Sequence, residues 1–303
     1  PETLETVADA KPRSPNPLVL LNKTAGGTQC WTDHRWVDGY RIQQNALTGH
    51  WRLLCKDNWR IAWGTRQHCE ACLDGRLAET PPGPTPERVV VLLHGLMRSH
   101  RSMALLEKDL KQRDDAAIIR FSYASTRCSI GDHAAALREL LERLPPQTKI
   151  SFVGHSMGNI VTRHLIGDLQ REGDPHQVLP RCEAMVMLGP PNHGAAIARR
   201  LNSAGVFDVV TGKSCRELGA DWRDLEDRLA TPPFPFAIVA GDLSSKALQN
   251  PLVEGASDYI VSLEEAQLDG AAAFHTVPTL HSFLMMDPQA RDFTIDFLIS
   301  HHR

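Results

Sequence analysis

At 303 residues the chain is long enough to bury a full core and to carry one large domain with a smaller appendage. A formal charge of only −3, with no basic stripe, argues against a nucleic-acid partner, and no apolar run reaches the roughly eighteen residues of a membrane span. The chain begins at Pro1 rather than Met, so a leader or an anchor could have preceded it; that start and an odd number of cysteines, seven, leave the compartment open, as they do the oligomeric state.

Residues 1–17 are proline-rich and polar without periodicity, which predicts an extended arm. Residues 18–79 form a small unit of different character, holding five of the six tryptophans, Trp31, Trp36, Trp51, Trp59 and Trp63. Alternation over Tyr40 to Gln43, a turn at Leu47 to His50 and a strand from Trp51 predict two or three antiparallel strands. Arg66 to Leu77 then reads as a short closing helix. Exposed aromatics would suit a sugar or lipid surface, but the simpler expectation is that bulky aromatics form the core of a small sheet. Cys69 and Cys72, with Cys30, His34, Cys55 and His68 in the same unit, have the makings of a zinc site or a disulfide; one-turn spacing on a helix favours packing, and no metal is predicted. Residues 80–87, TPPGPTPE, read as a linker, and 88–303 as the catalytic domain.

From Arg88 the pattern alternates. Strands are predicted at Arg88 to Leu93, Ala117 to Phe121, Lys149 to Val153, Glu183 to Leu188, Phe236 to Ala240 and Ala273 to Val277. Helices are predicted at Ser99 to Lys111, Ile130 to Leu144, Asn159 to Leu169 and Ala290 to Ser300. This makes an α/β fold, a mostly parallel sheet with helices on both faces, whose ligands sit outside the carboxyl ends of the strands.

At one such end lies Gly154-His155-Ser156-Met157-Gly158, Gly-x-Ser-x-Gly between a strand and a helix, the context that turns a chance pattern into a strained elbow presenting a nucleophile. The alternative is a tight turn whose serine caps the helix. A serine needs a base, an orienting acid and oxyanion donors. The strand ending in His94-Gly95-Leu96 offers the Leu96 N–H, which together with that of Met157 would form the oxyanion hole; His94 itself reads as a structural hydrogen-bonder. His281, just past the last strand, is the favoured base, with His275 the alternative, while His133, His164 and His176 read as surface or packing residues. Two acids follow the Phe236 strand, Asp242 and Asp258, and loop placement alone leaves them tied.

These residues resemble the α/β-hydrolase fold, and more narrowly the bacterial triacylglycerol lipases and related PGAP-like hydrolases, over about Arg88 to Ser300. The motifs are Leu93-His94-Gly95-Leu96, Phe121-Ser122-Tyr123-Ala124-Ser125, the elbow, Leu188 to Ala195 and Asp258-Tyr259-Ile260-Val261-Ser262. The last resembles the Asp-Gly-x-Val-Ser acid loop of the family, which implies Asp258 as the acid, and the resemblance implies His281 as the histidine. Tyr259 stands where the family carries glycine, Asn159 where a second glycine is common, and Pro190 where threonine is frequent. The tryptophan-rich unit lies outside the resemblance.

The expectation is therefore a serine ester hydrolase acting through an acyl-enzyme on carboxylic esters with a lipid or medium-chain acyl group, the substrate a small-molecule or lipid ester, without metal or organic cofactor. The alternatives are a thioesterase, amidase or acyltransferase with the same triad, or a catalytically silent binding or surface protein. Leu201 to Trp222 is the longest stretch the sheet does not need, and its Val206, Phe207 and Val210, with Val209 and Leu218, are candidates to line an acyl-binding wall or small cap; an amphipathic helix packed on the sheet is the alternative.

Overall fold

The computed structural model describes residues 23–80, 83–194, 213–219, 221–246, 250, 253 and 255–302. The predicted arm at residues 1–17 and the acyl-wall candidates Val206, Phe207, Val209 and Val210 lie outside the described residues.

Four strands open the described chain: β1 (Trp31–Val37), β2 (Tyr40–Asn45), β3 (Trp51–Leu54) and β4 (Arg60–Gly64), paired antiparallel in sequence order. The sheet has four strands where two or three were expected. The turn before β3 is as predicted, with Asn45 Oδ1 accepting from the N–H groups of Leu47 and Thr48. Helix α1 (Arg66–Glu79) follows, started by the Thr65 side chain, which accepts from the His68 N–H. The small core beneath it is Ile42, Leu53, Ala62, Cys69 and Leu73, so Cys69 is a packing residue. Cys72 lies beside the His68 ring, its Sγ 3.7 Å from Nε2.

The tryptophans are at most its margin: Trp51 packs against it and Trp36 against the core of the larger domain. None of the five is fully buried, and Trp63 is 59% exposed. Arg52 stacks on Trp31 with its guanidinium carbon 3.8 Å from the ring centroid, and Arg66 lies over Trp51 at 4.9 Å. Cations on the rings satisfy their faces where aliphatic packing would otherwise be needed, which is why tryptophan content misled as a marker of the core.

Six strands form the second sheet: β5 (Arg88–Leu93), β6 (Ala117–Phe121), β7 (Lys149–His155), β8 (Cys182–Leu188), β9 (Phe236–Gly241) and β10 (Ala273–Val277), in the order β10-β9-β8-β7-β5-β6. Every adjacent pair is parallel. The helices are α2 (Ala104–Arg113), α3 (Ile130–Glu142), α4 (Met157–Glu172), α5 (Lys213–Leu218), α6 (Trp222–Glu226), α7 (Leu263–Ala266) and α8 (Pro288–Ser300).

Side-chain alternation along the strands divides the interior in two. Val89, Val91 and Leu93 of β5 join Phe152, Met185 and Ile238 on one face, under α3 and α4. Val90 and Leu92 turn to the other face with Val153, Val186 and Val239, under Leu106 and Leu110 of α2 and Ile295 and Leu298 of α8. Helices thus cover both faces, as the sequence pattern implies. Leu218, Trp222 and Leu225 belong to the first of these cores, so the described end of the Leu201 to Trp222 stretch packs onto the body of the protein. Among the described residues no helix is long and apolar enough to cross a membrane.

The chain runs outward from β5 to β6 and then returns to place β7 on the other side of β5. That reversal opens a crevice between the carboxyl ends of β5 and β7, where Leu93 is in register with Gly154.

Candidate active site

Ser156 sits in that crevice, between β7 and α4, at φ 53° and ψ −120°. This is a conformation that side-chain-bearing residues avoid and that recurs at functional positions. It is anchored by its own N–H, which donates to Leu188 O at 2.8 Å. The Asn159 side chain donates to Ser156 O at 3.0 Å and to Leu188 O at 3.3 Å, so the residue found in place of a common glycine ties the elbow to β8. The serine hydroxyl makes no capping bond to α4, which removes the helix-cap alternative. Gly158 has to be small: a Cβ there would lie 2.7 Å from Leu93 O and 2.9 Å from His94 O. That close approach brings the start of α4, with its unpaired N–H groups, against the end of β5.

The end of β5 supplies the facing wall. A Cβ on Gly95 would fall 3.2 Å from Ser156 Cβ and 2.8 Å from His155 Nδ1, so glycine lets the backbone bearing Leu96 come next to the elbow. A turn over Gly95 to Arg98 follows, closed by the Arg98 N–H on Gly95 O at 3.2 Å, with Met97 at φ 58°. His94 is buried; its ring stacks on Tyr123 at 4.1 Å and its Nδ1 lies 2.9 Å from Gly95 O. Burial holds its pKa down, to about 4, so it is a neutral structural ring.

The loop after β9 brings Asp258 beneath His281. His281 Nδ1–H donates to Asp258 Oδ2 at 2.7 Å, and both residues are buried, at 5% and 1% exposure. The second carboxylate oxygen accepts from the N–H groups of Ile260 and Val261 at 3.0 and 2.8 Å, while the His281 N–H donates to Asp258 O at 2.9 Å. Carboxylate and ring are therefore locked to one another by main chain as well as side chain. Tyr259, where the resembling family has glycine, takes φ 85° and points outward with 40% exposure. The backbone keeps the glycine-like conformation without the glycine.

The two alternatives are placed elsewhere. Asp242 accepts from the N–H and hydroxyl of Ser244 at 2.9 and 2.6 Å, bonds that hold its carboxyl below the usual range. His275, on β10, stacks on Phe293 of α8 at 4.8 Å. Of the other histidines, His164 pairs with Asp168 at 2.9 Å and His133 is fully buried.

One contributor escaped sequence reasoning. His155 Nε2–H donates to the His281 carbonyl at 2.9 Å, with the two rings 5.0 Å apart. Its burial, reinforced by the neighbouring His281, pushes its pKa well down, so this ring is neutral and clamps the histidine loop to the elbow. Its only sequence signal was a polar residue inside the motif. The loop after β8 is held by Arg163, which donates to Asn192 O at 3.2 Å and Oδ1 at 3.1 Å, and Asn192 in turn donates to Ala266 O at 2.8 Å. Among the described residues no group of His, Cys, Asp and Glu is placed to hold a metal ion.

Residues 54–226 match the model of the family DUF7379, described as a domain of unknown function. No curated protein matches the chain. Among solved structures, the mature form of the lipase BlEst2 from Bacillus licheniformis is similar with a TM-score of 0.53 at 19% identity, over 73% of this chain and 94% of that one. The same lipase with its propeptide gives a TM-score of 0.52 at 20% identity, over 74% of this chain and 52% of that one. Likeness at these identities establishes the fold: the parallel sheet and its helices are an α/β-hydrolase fold.

Proposed function

The chain belongs to the DUF7379 family, and we propose that it is a serine ester hydrolase, lipase- or carboxylesterase-like, working through an acyl-enzyme. The observation that carries this reading is a strained Ser156, its hydroxyl not used as a cap, directly after His155, whose ring is bonded to the carbonyl of a buried His281 that gives its own Nδ1–H to Asp258.

With Nδ1–H committed to Asp258, His281 keeps its lone pair on Nε2 and can act as a base. It takes the Ser156 proton as Oγ attacks the ester carbonyl. The tetrahedral oxyanion is met by the N–H groups of Leu96 and Met157, each such donor supplying about 3 kcal/mol in comparable sites. His281 then protonates the leaving alcohol, and water repeats the sequence on the acyl-enzyme. Asp258 holds the tautomer and stabilises the transient imidazolium. The main-chain bonds on its other oxygen keep that carboxylate aimed at the ring.

The substrate class we propose is a carboxylic ester with a lipid or medium-chain acyl group, in keeping with the apolar character of Val206, Phe207 and Val210. The test is a p-nitrophenyl ester series of rising chain length on the purified protein, with Ser156→Ala as control and acyl-CoA and an amide run in parallel. Ser156-dependent ester turnover that peaks beyond acetate is expected. Preference for acyl-CoA or amide would replace the ester assignment, and a folded protein without turnover on any of them would overturn it.

A further inference from the structure

The N-terminal unit reaches the neighbourhood of the candidate site through Gln29, in the turn before β1, and through β1 itself, and these contacts converge on one segment, His94 to Arg98. The side-chain amide of Gln29 lies between two loops. Its Nε2–H donates to Arg98 O, the last carbonyl of the turn that carries Leu96. Its Oε1 accepts from Ser125 Oγ and Thr126 Oγ1, both at 3.0 Å, in the loop after β6. Three of the four hydrogen-bonding positions of one amide thus join the two loops, and the residue holds φ 54°.

The other end of the segment is held by the same sheet, one step removed. Asp33 Oδ2 accepts from the Ser122 N–H at 2.7 Å, and the Asp33 N–H donates to Ser122 O at 2.8 Å. Thr32 Oγ1 accepts from the Ala124 N–H at 3.2 Å, and Ser122 Oγ donates to Gly27 O at 3.2 Å. Between Ser122 and Ala124 lies Tyr123, whose hydroxyl donates to His94 O. The segment is therefore gripped at its first carbonyl through Tyr123 and at its last through Gln29. A donor aimed at a developing oxyanion acts only if held near the productive position beforehand, since a displacement of about 1 Å is costly.

We infer that the N-terminal sheet serves as an intramolecular brace for the oxyanion turn, with Gln29 as the positioning residue that sets the Leu96 N–H. This rests on the serine hydrolase reading above and gives the tryptophan-rich unit a role in that reaction. Gln29 touches no reacting atom; it acts through the Arg98 carbonyl.

The test compares Gln29→Ala and Gln29→Glu with wild type in kcat, KM and affinity for a boronic acid, which adds to the serine and places a tetrahedral anion in the hole. Glutamate keeps the length and the acceptor for Ser125 and Thr126 but has no N–H for Arg98 O while ionised. Both variants should lower kcat by about tenfold, a part of the roughly hundredfold or more that losing a donor outright costs, with KM within about twofold and boronate affinity falling in step with kcat. For Gln29→Glu the kcat deficit should shrink as pH drops toward the ordinary carboxyl value of about 4.3, because the protonated acid regains a donor; a purely structural role would show no such recovery. Wild-type kcat and boronate affinity in both folded variants would overturn the inference, as would both variants melting below the assay temperature, which would make the role one of stability. Should Gln29→Ala alone fail to fold, Gln29→Glu decides. A wild-type protein without Ser156-dependent turnover would sink the hydrolase reading and the brace with it, whereas an active wild type with silent Gln29 variants sinks the brace alone.

Discussion

The two sheets place their polar side chains in opposite ways. In the parallel sheet β7 is apolar through Phe152 and Val153 and the proposed nucleophile Ser156 comes after it, just as the proposed partners Asp258 and His281 lie in loops beyond β9 and β10. In the N-terminal sheet the polar groups are inside: Arg52 donates twice to Gln43 Oε1 at 2.9 and 2.7 Å, Gln43 donates to Asp33 Oδ1 at 2.6 Å, and Asp33 receives the Ser122 N–H. All three side chains are buried, and burial lowers the Arg52 pKa to about 10. Polar groups at strand ends are free to do chemistry because no packing depends on them. A polar chain inside a sheet is fully satisfied and therefore fixes geometry. The first kind should govern rate and the second stability.

The sharpest way to break that distinction is at the acid. Asp258→Asn keeps most of the main-chain bonding but offers His281 the wrong partner, and should cut kcat by about four orders of magnitude, as in comparable triads, with little change in melting temperature. Asp242→Ala should stay within about twofold in kcat. A reversal of the two would move the acid to Asp242.

Asp33→Ala should act mainly on stability, with at most the modest loss of kcat that a loosened brace on the oxyanion turn brings. It strands the Ser122 N–H and Gln43 in the interior, at a cost of about 3 kcal/mol, read as a lower urea midpoint with an unchanged m-value. Stability equal to wild type would mean that the buried chain does not hold the sheet to the β6 loop.

A smaller and graded effect comes from pH. Burial depresses four histidines below the ordinary 6.5: His94 to about 4, His100 and His133 each to about 3, and His155 well down. Neighbouring cations, Arg41 and Arg120 among them, add to the shift at His100. Their folded values lie below the unfolded one, so as pH falls through 6.5 the unfolded chain binds protons the native state refuses. Stability contributed by each is present above pH 6.5 and is lost as pH falls toward the folded value, about 4 for His94 and about 3 for His100 and His133, at up to about 1.4 kcal/mol per pH unit per histidine. His133, in the cleft that Thr32, His34 and Gln44 share with α3, has neither ring nitrogen hydrogen-bonded among the described residues. His133→Leu should flatten the acid limb of melting temperature against pH by one histidine's share; an unchanged limb would mean that this ring titrates normally.

What the sequence made legible follows the same division. The proposed Ser156, His281 and Asp258 were nominated because each lies beyond a strand recognisable as an apolar run, though the preference for Asp258 over Asp242 rests on the resemblance: loop reach does not say that Asp242 turns back onto Ser244. β1 escaped because its buried positions are the polar Thr32 and Asp33, and β4 because only Ala62 of its five residues is buried, so neither shows an apolar alternation. A bulge between Asp33 and Arg35 shifts what alternation β1 has. The tryptophans mark the margins of the cores rather than their centres: Trp51 packs against the small core and Trp36 against the large one, while arginines stack on Trp31 and Trp51. Gln29 carried no signal, since its three bonds reach residues about seventy to a hundred positions away.

The central claim, an activated Ser156, is tested most directly by reacting the protein with a fluorophosphonate and locating the adduct by peptide mass spectrometry. One adduct on Ser156 is predicted, absent in Ser156→Ala and formed far more slowly in His281→Ala. A folded wild-type protein that stays unlabelled, or an adduct elsewhere with Ser156 untouched, would contradict the account.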